Sequence, residues 1–392
     1  MKPWLIITSG VVLSIILLVW VYLFFAGDDA REGLFNALNF GDTSGEGFDF
    51  VDIFDGDEDQ SNALLRQLSL RRVVGYLPIP ATASTSASTY LVEAGTGHVY
   101  AIDIASGAEN RISNITVATA RQAVVSEDAT YVVISQSNSA DGLTVISLPH
   151  GSTTLDSYQI DADAFTFSLT SDNTLLYASY NGSAVIAYAY DLESRVETTL
   201  FTLPFREATI LWGSTADSVH YAYPRTSAQL EGYLYTLKEG VLGRAPVAGY
   251  GLSAIGNSTY ALFTARSGEG YRTYLYETES GAISDVGSSF LPEKCTFYGT
   301  GALCGLSIES YNEDSPDSWY SGEVSYSDEL WYLDLTTNES FYVLGLESDS
   351  GRRLDVVSPQ IMRDAAAAFF INKTDQSLWI YEGDFIFNSS DN

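Results

Sequence analysis

From about Leu64 to Phe387 the hydrophobic positions follow the spacing of β-strands. Short runs rich in Val, Ile, Tyr, Phe and Thr are separated by turns of Gly, Asn, Asp and Ser, a pattern that is typical of strands. The region shows no sustained apolar period of about 3.6 residues, which an amphipathic helix would require. The pattern therefore predicts an all-β domain.

The strand pattern repeats along this region about every forty to fifty residues. VVSEDATYVVISQ (124–136) matches SLTSDNTLLYASY (168–180), and each is followed by a further strand. Related units follow at ILWGSTADSVHYAYP (210–224), LSAIGNSTYALFTAR (252–266), CTFYGTGALCGLS (295–307) and IMRDAAAAFFINK (361–373), and a first unit lies at STYLVEAGTGHVYAIDIASG (88–107). The chain therefore contains seven recognisable units.

Seven units of about four strands each predict a β-propeller over residues 64–387. In this fold, four-stranded sheets stand around a channel and bury their faces against their neighbours. The last unit lacks a fourth strand, and we expect residues 64–70 (LLRQLSL) to supply it and close the ring. Six or eight blades, or a sandwich or two barrels, are the alternatives. Residues 388–392 remain as a C-terminal tail.

The N-terminal region, residues 1–27, contains an apolar run at 4–26 that has no charged residue. As a helix, this run would span about 35 Å, enough to cross the bilayer. A cleavable signal peptide is the alternative, but the run is long for one and Phe24 lies where such a peptide requires a small residue. Because Lys2 precedes the run and acidic residues follow it, we expect a signal-anchor in the cell membrane, with a cytoplasmic N-terminus and an extracytoplasmic propeller.

Residues 28–63 are predicted to form an acidic, flexible linker. Positions 28–60 contain eleven Asp or Glu residues and one Arg, a composition that cannot bury a core. The whole chain carries a formal charge of −31 with a pI near 4.1. Because nucleic-acid binding needs clustered Lys and Arg, this charge argues against a nucleic-acid partner.

The two cysteines of the chain, Cys295 and Cys304, flank a Gly-Thr-Gly turn. This spacing places them on neighbouring strands of a hairpin, within reach of a disulfide. Outside the cytoplasm oxidation is expected, so a structural disulfide is the favoured interpretation. Two reduced buried thiols, or metal or redox chemistry, are the alternatives.

Two features of the sequence resemble known families. The S-x-D segments at the blade turns are similar to the S-P-D-G turns of TolB-type propellers. TGHVYAIDIASGAENRISNITV, the FLPEKC…ALC pair, PDSWYSGEVSYSDELWYLDL and FINKTDQSLW resemble a family of candidate-phyla bacteria. The resemblance implies one N-terminal membrane span, an acidic linker and one extracytoplasmic propeller. It implies no activity.

No catalytic or metal-binding motif stands out in the sequence. The three histidines, His98, His150 and His220, are scattered among different units, and no G-x-S-x-G or comparable motif accompanies them. We therefore predict no catalytic residue, no metal site and no cofactor.

The segment ESYNEDSPDSWYSGEVSYSDE (309–329) is the longest insertion within a repeat. Loops that interrupt a repeat often carry function, and its aromatic residues Trp319, Tyr320, Tyr311 and Tyr326 are the candidate binding residues. The alternative is a plug that packs over the blade or the channel mouth. We predict a membrane-tethered module that binds or scaffolds an envelope protein, peptide or glycan. The alternative is an envelope hydrolase that acts on sugar or peptide at the channel.

Overall fold

A computed structural model describes residues 64–137, 142–148, 155–267, 270–311, 314–362, 364 and 367–385. The chain divides into two units, Met1–Gln60 and Ser61–Asn392, and only the second contains described residues. The predicted membrane span at 4–26, the linker at 28–63 and the tail at 388–392 lie outside them. None of the helices in the described ranges is long and apolar enough to cross a membrane.

The described strands form antiparallel sheets in which most neighbours are sequential. The first strand, β1 (Leu65–Ser69), belongs to the last sheet. Blade 1 contains β2 (Val73–Ile79), β3 (Ser88–Glu93), β4 (Val99–Asp103) and β5 (Glu109–Arg111). Blade 2 contains β6 (Ala120–Val125), β7 (Tyr131–Gln136), β8 (Leu143–Ser147) and β9 (Asp156–Ile160). Blade 3 contains β10 (Ala164–Leu169), β11 (Thr174–Tyr180), β12 (Val185–Asp191) and β13 (Val196–Leu203).

Blades 4 and 5 share one seven-stranded sheet. Its strands are β14 (Ala208–Leu211), β15 (His220–Pro224), β16 (Glu231–Lys238), β17 (Val241–Gly256), β18 (Tyr260–Ser267), β19 (Gly270–Glu277) and β20 (Ile283–Asp285). Blade 6 contains β21 (Cys295–Tyr298), β22 (Gly301–Ser307), β23 (Asp328–Asp334) and β24 (Glu339–Gly345). Blade 7 contains β25 (Val356–Ile361), β26 (Ala368–Asn372), β27 (Leu378–Tyr381) and β1. The short helices are a 3₁₀ turn (Pro292–Lys294), α1 (Asp317–Tyr320) and α2 (Leu346–Ser350).

The blades form a closed ring within the described residues, because an apolar cluster lies between each neighbouring pair. Leu68 packs with Leu91 and Phe369 between blades 7 and 1, and Leu65 packs with Leu303 between blades 7 and 6. Five further clusters join the remaining neighbours in sequence. The fold is therefore a β-propeller of seven four-stranded blades, and β1 pairs with β27, which confirms that residues 64–70 supply the missing strand.

Burial within a blade explains why the repeat was visible in the sequence. The middle strands are buried on both faces, because a neighbouring blade covers each face, and β7 accordingly reads YVVISQ with Val132 and Ile134 fully buried. The outermost strands lie at the rim, where β5 (ENR) is exposed at all three positions. The apolar runs therefore mark the middle strands of each blade.

Strand β17 joins blades 4 and 5 without a loop. Its pairing with β18 shifts register between Tyr250 and Ser253, and the φ angle of Gly251 is +64°. A side chain there would also meet Pro316 Cδ at 3.0 Å from its Cβ. The glycine therefore permits a bulge that carries the chain from the outermost strand of one blade to the innermost strand of the next.

One blade turn shows how the S-x-D segments work. The Ser126 hydroxyl donates to Asp128 Oδ1 at 2.7 Å, and the Thr130 amide donates to the same oxygen at 2.9 Å. From blade 3, Asn173 Nδ2 donates to Asp128 Oδ2 at 2.8 Å. Partial burial raises the pKa of Asp128, but these hydrogen bonds outweigh it and lower the pKa to about 2. The turn thus links two blades as well as two strands.

Candidate functional site

An open cleft lies beside the innermost strands of blades 4 and 5. Its volume is about 870 Å³, within the usual range for ligand pockets. Its walls come from five segments of the chain and consist of Glu207, Thr209, Leu211, Tyr223, Arg225, Thr226, Ser227, Leu230, Ala254, Ile255, Glu293, Asp317, Tyr320 and Ser321. The last three belong to the insertion of blade 6, so this insertion forms one wall of the cleft.

The insertion connects β22 to β23 and packs against the propeller through aromatic side chains. Tyr311 lies 5.0 Å from Tyr326 and 5.4 Å from Tyr271 of blade 5, measured between ring centroids. Trp319 and Leu291 complete this cluster. The insertion is therefore a folded part of the domain, as expected of a plug that packs over a blade.

A buried ionic cluster, formed by Lys294, Asp328 and Asp355, holds the insertion against the propeller. Lys294 is fully buried and its Nζ lies 2.7 Å from Asp328 Oδ2 and 2.6 Å from Asp355 Oδ1. Both carboxylates are also fully buried. Desolvation raises the pKa of Asp328 to about 6, against the opposing effect of Lys294.

Asp355 connects this cluster to the insertion. Its carboxylate accepts hydrogen bonds from Trp319 Nε1 at 3.1 and 3.0 Å, from the Ser325 hydroxyl at 3.0 Å and from the Tyr326 amide at 3.1 Å. Because Asp355 immediately precedes β25, these bonds attach the insertion of blade 6 to the start of blade 7. The cluster thereby fixes the position of the cleft wall.

The four candidate binding residues have different environments. Trp319 and Tyr326 are each only 4% exposed, whereas Tyr320 is 43% exposed and lines the cleft. Tyr311 is half-buried and packs between Tyr271 and Tyr326. A binding role for all four stays a prediction, but Tyr320 is the one with substantial surface for a ligand.

Tyr320 is positioned by a carboxylate. Its hydroxyl donates to Glu293 Oε1, and its ring contacts Trp319 edge to face with centroids 5.3 Å apart. Burial raises the pKa of Glu293, and the hydrogen bond from Tyr320 opposes this effect. Tyr320 is therefore held between the buried tryptophan and a partly buried acid.

The remaining charged groups of the cleft are already paired. Arg225 Nη1 lies 3.2 Å from Glu207 Oε2. Asp317 Oδ2 accepts from the Ser227 hydroxyl at 3.0 Å and from the Ala228 amide at 3.1 Å. The latter bonds tie α1 to blade 4 across the cleft, so Asp317 serves mainly to position that wall.

The sequence did not predict a role for Glu293, Lys294, Asp328 or Asp355. A signal was present in FLPEKCTF, where two charged residues interrupt an apolar run immediately before a cysteine. Charged residues at such a position are either exposed at a turn or paired in the interior, and spacing alone does not distinguish the two. Asp328 and Asp355, the partners of Lys294, lie 34 and 61 residues away from it in the sequence.

The disulfide prediction is confirmed. Cys295 pairs directly with Cys304 across β21 and β22, with Cα atoms 4.0 Å apart and the sulfurs bonded. The bridge lies next to Lys294, so it fixes the strand that leads out of the 3₁₀ turn. It therefore supports the same wall of the cleft as the ionic cluster.

The histidines lie outside the cleft where they are described. His98 Nε2 lies 3.1 Å from Thr116 Oγ1, and the pKa of His220 is lowered by burial. His150 falls outside the described residues. Among the residues that are described, no group of three or more His, Cys, Asp or Glu side chains is arranged to hold a metal ion.

Comparisons with solved structures identify the fold. The chain is similar to an oligogalacturonate lyase from Vibrio parahaemolyticus (TM-score 0.55, 10% identity, 81% of this chain and 92% of that chain). It is also similar to the β-propeller domain of the Trilobed protease from Pyrococcus furiosus (TM-score 0.51, 13% identity, 76% and 94%). The fold is that of a β-propeller.

A weaker likeness is to TolB from Acinetobacter baumannii, with a TM-score of 0.39 and 8% identity over 79% of this chain and 80% of that chain. At that level the likeness carries no argument about the blade turns or about function. No protein-family model matches the chain, and no curated protein matches it. At these identities the solved structures establish the fold alone.

Proposed function

We propose that this protein is a binding module whose ligand site is the cleft between blades 4 and 5 and the insertion of blade 6. The observation that carries the proposal is Tyr320, an exposed aromatic ring held in an open cleft by Glu293 and Trp319. A rigid aromatic side chain in a concave site supplies contact area at little entropic cost. The ligand class is an envelope protein, peptide or glycan.

The proposal also includes attachment to the cell membrane. It is supported by the uncharged run at 4–26, the preceding Lys2 and the acidic linker at 28–63. We expect protease added to spheroplasts to cut this linker and release the propeller from the membrane fraction, while a cytoplasmic marker stays intact. A propeller that remains attached and uncut after the envelope is opened would contradict the location.

Tyr320→Ala tests the binding site. We expect the full-length chain to bind members of a peptide or glycan array, and the substitution to weaken that binding about tenfold or more, because an aromatic anchor is lost. Tyr342→Ala is the matched control: Tyr342 is 51% exposed and contacts Trp331 edge to face at 5.5 Å, but it lies outside the cleft. Equal effects of the two substitutions would show that the cleft is not the site.

A hydrolase is the second candidate, and one observation favours it. Glu293 combines a raised pKa with a place in an open cleft that also contains Glu207 and Asp317, and a protonated carboxyl group can act as a general acid. The array ligands, incubated with the full-length chain, distinguish the two functions. Cleavage products that disappear with Glu293→Gln would establish the hydrolase and replace the binding module.

A further inference from the structure

The charges of the cleft wall select against anionic ligands. Three carboxylates, Glu207, Asp317 and Glu293, line it together with one guanidinium, Arg225, and this guanidinium is paired with Glu207. With three negative charges and one positive charge, the wall has a formal charge of −2, within a chain whose formal charge is −31. Clefts with charges of one sign concentrate counter-ions, so the cleft attracts cations.

Glu293 has hydrogen-bonding capacity that its described neighbours do not fill. Its Oε1 accepts from the Tyr320 hydroxyl, while its Oε2 is buried and has no hydrogen-bond partner among the described residues. A buried acceptor without a partner has lost its hydration with no hydrogen bond in return. The negative charge of Glu293 is therefore only partly compensated where it lies against Tyr320.

The hydrogen bond to Glu293 makes the ring of Tyr320, which lines the cleft, more attractive to a cation. A phenol whose hydroxyl donates a hydrogen bond to a carboxylate has a more electron-rich ring, and such a ring attracts a cation over its face. Apolar side chains of Leu211, Leu230 and Ile255 line the same cleft. An aliphatic chain that ends in a cation matches these surroundings, because its stem packs on apolar surface while its charged end reaches the ring.

We propose that the cleft binds a basic peptide, and that a lysine or arginine side chain of this peptide places its cation over Tyr320, in front of Glu293. This inference rests on the proposed function and specifies its ligand. Acidic sugars are disfavoured at the same site, since the cleft offers them one guanidinium that is already paired. Free polyamines share the cationic chemistry and are separated from peptides by experiment.

The test is calorimetric titration of the full-length chain with acetyl-Gly-Lys-Gly-Lys-Gly-amide at low and moderate salt. We expect binding that weakens with salt and falls about tenfold or more when both lysines are acetylated. Glu293→Gln should cause a similar loss. Glu279→Gln, which removes the same charge at an exposed turn outside the cleft, should leave the affinity unchanged.

The dependence on pH provides a second readout. Because burial raises the pKa of Glu293, affinity for the lysine peptide should fall as the pH is lowered through that pKa. The dependence should be lost in Glu293→Gln. The other titratable or charged groups around this carboxyl group are Tyr320, Tyr223, Tyr271, Lys294, Glu207, Asp317 and Arg225.

Three results would overturn the inference. One is an unchanged affinity in Glu293→Gln, and another is spermidine binding as tightly as the peptide. The third is Tyr320-dependent binding of cellotetraose or of acetyl-Gly-Glu-Gly-Glu-Gly-amide in place of the lysine peptide. That third result would contradict the basic-peptide ligand but leave the proposed binding function standing. If Tyr320→Ala alters the binding of no probe, both the basic-peptide ligand and the proposed binding site are wrong.

Discussion

Lys294→Met is expected to destabilise the propeller by about 3–5 kcal/mol, because it leaves the buried carboxylates of Asp328 and Asp355 without their cation. The loss should appear as a lower midpoint of urea unfolding of the full-length chain. Lys238→Met is the matched control, since Lys238 is exposed on β16. Equal stability of the two variants would show that Lys294 contributes no more than a surface lysine.

The Lys294 prediction has a defined dependence on pH. Desolvation already raises the pKa of Asp328 to about 6, and removal of the Lys294 ammonium group should raise it further. A carboxyl group whose pKa is raised on folding stabilises the folded state below its unfolded pKa, and this contribution is lost as the pH rises through the folded pKa. The deficit of Lys294→Met should therefore be smaller at pH 5 than at pH 8, and the opposite order would contradict burial of the acid.

Replacement of both buried leucines of β1 by alanine is expected to destabilise the ring by about 4–10 kcal/mol, from about 2–5 kcal/mol at each site. Leu65 and Leu68 are each 6% exposed. They lie in different clusters, Leu65 between blades 6 and 7 and Leu68 between blades 7 and 1. Their separate surroundings make the two losses nearly additive, and urea unfolding of the single and double variants measures this.

Leu64→Ala/Leu70→Ala is the control for the closing strand. Leu64 and Leu70 are 59% and 72% exposed at either end of the same strand, so their replacement should change the unfolding free energy little. If the two double variants unfold at the same urea concentration, β1 does not hold the ring closed.

Much of the fold could be predicted from the sequence, because the blades repeat and each middle strand is buried on both faces. Blades 2 and 3 contain equivalent strand pairs, β6–β7 and β10–β11, at the matching segments VVSEDATYVVISQ and SLTSDNTLLYASY. LLRQLSL supplied the strand that the last unit lacks, and the Gly-Thr-Gly turn set Cys295 opposite Cys304. These features depend on short apolar runs and on short spacings, which the sequence displays directly.

The candidate site depended on contacts that no local pattern contains. Residues 309–329 have the sequence of a polar loop with scattered aromatic residues. Trp319 is nevertheless buried, and its indole N–H donates a hydrogen bond to Asp355, 36 residues away. Lys294 is likewise buried because Asp328 and Asp355 meet it in three dimensions. The blades that lie next to the insertion determine which charged residues are paired in the interior. They also determine that Tyr320 keeps an exposed ring. Tertiary packing alone decides them, since a charged or aromatic residue has the same local sequence whether it is paired in the interior or exposed to solvent.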